Sequence, residues 1–225
     1  MKELAVVLLS GGMDSALCLG IANEAGYELA ALHLNYGQRT QSKELECYHK
    51  LCDYYSVQHR LIVDVNHLSA IGGSSLTDSR IEVSKGTDTI PDEIPNSYVP
   101  FRNANILAIA VSWAEVIGAK ALFIGATQVD FSGYPDCREE FFAAFQQVIN
   151  FGTKPETQIA IKTPIINFTK SDIVNKAIEI NVPLEHTWSC YKSDEKACGE
   201  CDSCLLRLKG FEQAGLNDPI AYQLS

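Results

Sequence analysis

The chain has 225 residues, of which 46% are hydrophobic and 20% charged, a composition typical of a globular protein and not of a disordered one. No apolar run approaches the roughly 18 to 20 residues of a membrane span. The formal net charge of −10 argues against a large nucleic-acid surface, which needs clustered lysines and arginines, and favours a small-molecule substrate.

Strand-like apolar runs alternate with helical stretches along the chain. Strands are predicted at residues 3–10, 29–37, 59–65 and 121–126, with a short fifth strand at 159–165. Helices are predicted at about 14–25, 40–55, 102–117, 138–149 and 170–180, the last with Thr169 as its N-cap. Residues 66–100 show no clear period and are predicted to form a long loop. This alternation predicts a doubly wound α/β fold, with a mostly parallel sheet covered by helices on both faces.

The stretch "LSGGMDSALCLGI" links the first predicted strand to the first predicted helix. Its two glycines let the backbone approach an anion closely, and the helix directs its first N–H groups at that anion. Ser15 can donate a hydrogen bond to a phosphate oxygen, and Asp14 can cap the helix or hold magnesium. No lysine follows at the spacing of a Walker A loop. The residues alone leave open an ordinary turn that Ser10 or Asp14 caps.

Four cysteines lie close together near the C-terminus: Cys190, Cys198, Cys201 and Cys204. Their thiolates can close a tetrahedral shell around zinc, as a structural site. An iron–sulfur cluster is the sharper alternative, but the x3-C-P continuation of ferredoxin motifs is missing. Four free thiols are the remaining alternative. The other four cysteines are scattered, which indicates a reducing compartment, and the N-terminus lacks a signal-peptide cleavage site, so we expect a cytoplasmic protein.

Several polar stretches follow the predicted strands on the ligand side of the sheet. "VPFRN" opens a helix, and "DFSGYPDCR" follows the fourth strand. Any one of their side chains can also serve only a turn or the core. The candidate substrate-binding residues in them are Arg102, Asn103, Asp130, Ser132, Tyr134, Asp136 and Arg138.

The S-G-G-x-D-S stretch resembles the signature of the PP-loop ATP pyrophosphatases. Together with "YGQR", "VPFRN", "DFSGYPDCR", "TWSCY" and "CGECDSC", all in the same order, it makes the chain similar to the 7-cyano-7-deazaguanine synthase family, QueC. The resemblance runs from Leu9 to Phe211. It implies one PP-loop domain over residues 1–225, with a zinc-binding segment at about 186–211.

The resemblance also implies a reaction: 7-carboxy-7-deazaguanine, ammonia and ATP give the 7-nitrile by carboxylate activation, amide formation and dehydration. Asp14, Ser15, Arg102 and Asp130 are its implied catalytic residues, and Asp14 is assigned to Mg²⁺. One structural zinc, a homodimer, and the absence of nucleic-acid and membrane partners are further expectations. The residues implied to bind ATP are Leu9, Ser10, Gly11, Gly12, Met13, Asp14, Ser15, Ala16, Leu17, Cys18 and Leu19.

Two other functions remain open from the sequence. A PP-loop tRNA thiolase also adenylates its substrate and often carries clustered cysteines, but the charge of −10 and the lack of a basic patch disfavour it. A non-catalytic zinc module that senses a nucleotide would bind ATP without releasing pyrophosphate.

Overall fold

A five-stranded parallel sheet forms the centre of the computed structural model, which describes residues 2–84, 94–129 and 133–223. The strand order is β3-β2-β1-β4-β5, so the doubly wound α/β prediction is confirmed. All five predicted strands are present, each shorter than predicted. Their bounds are β1 Leu4–Leu8, β2 Glu28–Asn35, β3 His59–Asp64, β4 Ala121–Ile124 and β5 Ala160–Lys162.

Seven α-helices surround the sheet in the described part of the chain, and none is long and apolar enough to cross a membrane. They are α1 Met13–Glu24, α2 Gln41–Tyr54, α3 His67–Ile71, α4 Arg102–Ile117, α5 Glu139–Gly152, α6 Lys170–Glu179 and α7 Asp202–Gln213. Five were predicted, and Thr169 caps α6 as expected, in a capping box with Asp172. The sequence analysis missed α7, and the five residues of α3 lie where it predicted only a loop.

Both faces of the sheet are buried along β1, β2 and β4, as is typical of parallel sheets, whereas the edge strands β3 and β5 are partly exposed. Along β1, Ala5 and Val7 belong to the core cluster on the α1 and α6 side, whereas Val6 and Leu8 belong to the cluster on the α4 side. The chain moves outward from β1 to β2 and β3, and then returns to place β4 on the other side of β1. This reversal creates a crevice at the carboxyl ends of β1 and β4, where ligands bind in such sheets.

Two glycines allow close packing beside this crevice. A Cβ atom on Gly125, just after β4, would lie 2.8 Å from the backbone nitrogen of Ser15. A Cβ atom on Gly210, in α7, would lie 2.7 Å from the Cβ and 3.0 Å from the carbonyl oxygen of Lys170. The absence of side chains at these positions therefore sets where the first turns of α1 and α6 sit.

We predict that Gly210→Ala lowers the free energy of unfolding by about 1–3 kcal/mol, because the added methyl group overlaps Lys170. Gly152→Ala is the matched control: it also adds a methyl group to a helical glycine, but no atom lies within 4 Å of it. We expect the control to be neutral or to stabilise by up to about 1 kcal/mol. Urea denaturation of both variants measures the difference, and equal effects would contradict the packing argument.

Candidate active site

A cavity of about 470 Å³ opens at the carboxyl ends of the central strands. This volume is within the range of small-molecule binding sites. Leu8, Leu34 and Ile124, from the ends of β1, β2 and β4, form part of its wall. The polar and aromatic residues that line it are Ser10, Asp14, Ser15, Tyr36, Glu44, Ser97, Arg102, Asn103, Thr127, Tyr134, Lys170, Trp188, Ser189, Tyr191, Asp202, Ser203, Arg207 and Lys209.

The glycine loop (residues 9–15) lies at one wall of this cavity. The N-cap of α1 is Gly12, and no side chain makes a capping hydrogen bond there. The Ser10 hydroxyl instead accepts a bond from the Gly12 amide at 3.2 Å, and the Ser15 hydroxyl donates to the Gly12 carbonyl at 2.9 Å. The alternative of a turn capped by Ser10 or Asp14 is therefore wrong. An uncapped helix N-terminus facing a cavity suits an anion.

Asp14 forms an ion pair with Lys170, and the Asp14 Oδ2 to Lys170 Nζ distance is 2.6 Å. Both residues line the cavity. The other carboxylate oxygen of Asp14 is buried and has no hydrogen-bond partner in the described part of the chain. This oxygen therefore remains able to accept a donor or to bind a cation.

The sequence analysis missed Lys170. A signal for it exists, because Lys170 is the first residue of α6, where the helix dipole disfavours a cation unless an anion lies nearby.

Arg102, at the start of α4, lies among tyrosines on the cavity wall. Its guanidinium donates to the Tyr36 hydroxyl at 3.2 Å and lies 5.4 Å from the centre of that ring. Burial raises the pKa of Tyr36 to about 12, and burial also raises the pKa values of Tyr134 and Tyr191. These phenols therefore stay neutral near pH 7. In the described ranges no carboxylate forms an ion pair with Arg102, so its positive charge is available to an anion.

The other predicted substrate residues have different surroundings. The backbone amide of Asn103 donates to the Asp136 carboxylate at 2.9 Å, and the Asn103 side chain donates to the Asp136 carbonyl at 2.8 Å. Both residues are buried, and Asn103 alone of the pair lines the cavity. Arg138 is exposed at the start of α5 and does not line the cavity. Asp130 and Ser132 lie outside the described residues, and the assignment of all these residues to substrate stays a prediction.

The four cysteines predicted to bind a metal come together. The Sγ atoms of Cys190, Cys198, Cys201 and Cys204 all lie within 4.8 Å of one another. Hydrogen bonds from the neighbouring thiols and from backbone amides lower the pKa of Cys190. The amides of Lys192 and Cys198 both donate to its sulfur, at 3.3 Å. A converging set of thiols with a thiolate stabilised by N–H donors fits a metal ion.

The cysteine cluster is connected to the glycine loop through Trp188. The Trp188 amide donates to the Gly11 carbonyl at 2.9 Å, and the Trp188 ring packs with Cys47 and the cluster cysteines. The fully buried Arg207 donates to the Asp218 carboxylate at 2.7 Å and to the Thr187 hydroxyl at 2.8 Å. The C-terminal segment therefore forms one wall of the cavity, and the four-cysteine cluster supports that wall.

Fold and site together define a doubly wound α/β protein with a glycine loop that suits an anion and a separate four-cysteine cluster. Among solved structures, a 4-thiouridine synthetase in complex with RNA and ATP matches 80% of this chain and 41% of its own, with 25% identity and a TM-score of 0.46.

Much closer sequence relatives exist. The 7-cyano-7-deazaguanine synthase of Chloroherpeton thalassium is 59% identical over 98% of this chain and 97% of that relative. The synthase of the same name from Chlorobium phaeobacteroides (strain DSM 266) is 59% identical over 97% of this chain and 96% of the relative. The family model "Queuosine biosynthesis protein QueC" matches residues 4–215. The chain therefore belongs to the QueC family.

We predict that Cys201→Ser lowers the bound metal and the melting temperature together, because a closed thiolate shell contributes directly to folding. The purified wild-type protein should hold about one metal ion per chain. Cys137→Ala is the control, because Cys137 lies outside the four-cysteine cluster and its loss should leave the metal content unchanged. Elemental analysis and thermal unfolding measure both effects. Full metal retention by Cys201→Ser would contradict the assignment.

Proposed function

We propose that this protein converts 7-carboxy-7-deazaguanine and ammonia into 7-cyano-7-deazaguanine at the expense of ATP. The QueC family and relatives that carry the name 7-cyano-7-deazaguanine synthase support the substrate and the product. The observation that carries the proposal is that the uncapped glycine loop and Arg102 with its tyrosines open into one cavity. ATP and a planar anionic substrate would therefore meet there.

The chemistry requires an activated carboxylate. A carboxylate is a poor electrophile because its negative charge repels nucleophiles and its leaving group would be oxide. Transfer of AMP from ATP to the carboxylate, with release of pyrophosphate, supplies a good leaving group, and ammonia then displaces AMP to give an amide. A second adenylation, on the amide oxygen, lets that oxygen leave as AMP and yields the nitrile. The protein mainly positions the reactants and neutralises charge.

The glycine loop would bind the pyrophosphate end of ATP. The backbone amides at the start of α1 would be the donors, and the Ser15 hydroxyl would join them once it turns from the Gly12 carbonyl, to which it donates here. Of the proposed ATP-binding segment, residues 9–19, only 9, 10 and 12–15 line the cavity. Lys170 pairs with Asp14 and holds that carboxylate in position beside the loop. Mg²⁺ would supply further charge neutralisation on the phosphates, and the unpartnered Oδ1 of Asp14 fits such an ion.

The substrate would lie in the cavity beside Arg102 and the tyrosines that surround it. The Arg102 guanidinium suits the carboxylate, and neutral phenol rings from Tyr36, Tyr134 and Tyr191 suit the flat deazapurine. Asn103 reaches the same cavity wall. The further proposed contacts are Asp130, Ser132, Asp136 and Arg138, from the segment after β4.

The metal of the cysteine cluster is proposed to be zinc. Four thiols with no other ligand in the group suit a closed structural zinc site, which would stabilise the C-terminal wall without touching substrate. Elemental analysis should show zinc, whereas brown protein that contains iron would favour a cluster instead. On the family resemblance we also propose a homodimer, in the cytoplasm, that acts without nucleic acid.

We predict that the purified protein cleaves ATP to AMP and pyrophosphate only when 7-carboxy-7-deazaguanine is present. Without ammonium the adenylate should accumulate. With ammonium the 7-amide should appear transiently and the nitrile should build up, because one cavity handles both oxygens. Mass spectrometry of the quenched reaction distinguishes these species.

Two outcomes would contradict this proposal in different ways. Release of ADP would mean that phosphorylation replaces adenylation, with the substrate assignment still standing. A reaction that stops at the 7-amide, even with excess ATP, would identify an amide ligase and refute nitrile synthesis. Synthetic 7-amide supplied with ATP is the direct control for the second half of the reaction.

A further inference from the structure

Glu44 is a carboxylate on the cavity wall that has no role in the mechanism proposed above. It lies in the first turn of α2 and remains partly accessible. Its backbone is held against the glycine loop, since a Cβ atom on Gly11 would lie only 2.6 Å from the Glu44 carbonyl oxygen. The close contact at Gly11 therefore places this side chain next to the site where ATP would bind.

A chain of hydrogen bonds fixes the orientation of the Glu44 carboxylate. The Gln38 amide nitrogen donates to Oε2 at 3.0 Å, and the Thr40 hydroxyl donates to Oε1 at 3.0 Å. The Gln38 amide is itself oriented by the Tyr36 backbone N–H, which donates to its oxygen at 2.9 Å. Each carboxylate oxygen accepts one of these two bonds, and a carboxylate oxygen has room for a second. These hydrogen bonds therefore hold the Glu44 carboxylate in one orientation, in which it can accept a further hydrogen bond on the cavity wall.

The charge of Glu44 is not neutralised by an ion pair within the described ranges. Burial raises its pKa to about 7, against the opposing effects of its bonds to Gln38 and Thr40 and of the Arg102 charge. A carboxylate that loses hydration, with the Arg102 cation beyond ion-pair distance, favours a small positively charged ligand in direct contact. Its pKa near neutrality also suits a group that takes up a proton.

We propose that Glu44 binds the ammonium ion that this reaction consumes and accepts the proton that ammonium must lose before its nitrogen can attack. The inference rests on the proposed function, since it requires ammonia as a substrate. Ammonium carries the missing positive charge and four N–H donors, and it has no lone pair until one proton leaves.

Every proton released in this step has an acceptor. Ammonium transfers one proton to the Glu44 carboxylate and becomes ammonia. The ammonia lone pair forms the C–N bond with the acyl adenylate, and the C–O bond to AMP breaks with its electron pair on the phosphate oxygen. The second proton leaves the nitrogen and goes to the departing phosphate or to water. Glu44 then returns its proton to solvent.

The two halves of the reaction provide the test, because amide formation consumes ammonia whereas dehydration of the 7-amide does not. Glu44→Gln keeps the size of the side chain and removes its charge. We expect amide formation at limiting ammonium to fall by about 100-fold or more. Dehydration of synthetic 7-amide with ATP should fall by a far smaller factor. The apparent KM for ammonium should rise, while the KM for 7-carboxy-7-deazaguanine should stay near that of the wild type.

Glu46→Gln is the matched control. It removes a carboxylate from the same helix, but Glu46 is exposed, pairs with Lys43 and Lys50, and does not line the cavity. We expect it to leave both half-reactions at wild-type rates. Dehydration of the 7-amide needs an intact ATP site. The rate of this half-reaction in Glu44→Gln therefore also shows whether the variant is folded.

A second nucleophile gives an independent readout. Hydroxylamine is neutral near pH 7 and needs no proton removed before it attacks. The rate at which it converts the acyl adenylate to the hydroxamate should therefore be much less sensitive to Glu44→Gln.

The wild-type rate of amide formation should also rise as the pH passes through about 7, because Glu44 accepts a proton only when ionised. Arg102 and Tyr36 are the charged and titratable groups that face it, and Gln38 and Thr40 are its hydrogen-bond donors. Glu44→Gln should lack the inflection near pH 7 and keep only the steady increase that comes from the growing fraction of free ammonia.

Each outcome decides the proposal. Equal losses in both half-reactions would mean that Glu44 holds the deazapurine ring, which both substrates share, and would overturn the ammonium assignment. Wild-type rates at limiting ammonium would also overturn it. A wild-type protein that makes neither amide nor nitrile would refute the proposed function itself, whatever Glu44→Gln does.

Discussion

The close approach of three chain segments at Gly11 is the contact on which the site depends. Gly11 has φ +93°, a conformation that other residues rarely adopt, and a Cβ atom there would lie 2.6 Å from the Glu44 carbonyl oxygen. Its own carbonyl accepts the Trp188 amide at 2.9 Å. One residue without a side chain thus joins the glycine loop to α2 and to the cysteine-bearing C-terminal segment. The walls of the cavity are positioned relative to one another by this contact.

The charges around the cavity differ from those of the whole chain. The net charge is −10, yet Arg102, Lys170 and Arg207 all line the cavity. Lys170 pairs with Asp14 and Arg207 pairs with Asp218, whereas Arg102 has no carboxylate partner at ion-pair distance in the described part of the chain. Charges that are already paired keep their positions and attract an added anion only weakly. Lys209 also lines the cavity and forms no ion pair among the described residues, but it is exposed to solvent. Arg102 is therefore the cation with most to gain from a substrate carboxylate.

Much of the fold was predictable from the sequence. Apolar runs predicted the five strands, and their alternation with helical stretches predicted a mostly parallel sheet, whereas the strand order came only from the structure. The helix α7 was missed because it begins inside the cysteine cluster, where metal-ligand spacing masks the helical period. The helix α3 was missed because five residues are too few to show a period.

The site was predictable in part. The glycine loop and the four cysteines are local motifs, so their positions followed from spacing alone. The ion pair between Asp14 and Lys170 joins residues 156 positions apart, and the packing of α1 against α6 brings them together. Glu44 belongs to an ordinary-looking helix start, and its contact with Gly11 has no counterpart in the local sequence. Such contacts depend on the tertiary structure.

The central claim is that one cavity activates both oxygens of a single carboxylate by adenylation. The most direct measurement starts from 7-carboxy-7-deazaguanine in which both carboxylate oxygens are heavy isotopes. Mass spectrometry of the products should find nitrile together with two AMP molecules, each with one heavy oxygen, because each oxygen leaves bound to phosphorus. Heavy oxygen in water or in inorganic phosphate, with AMP unlabelled, would contradict the account.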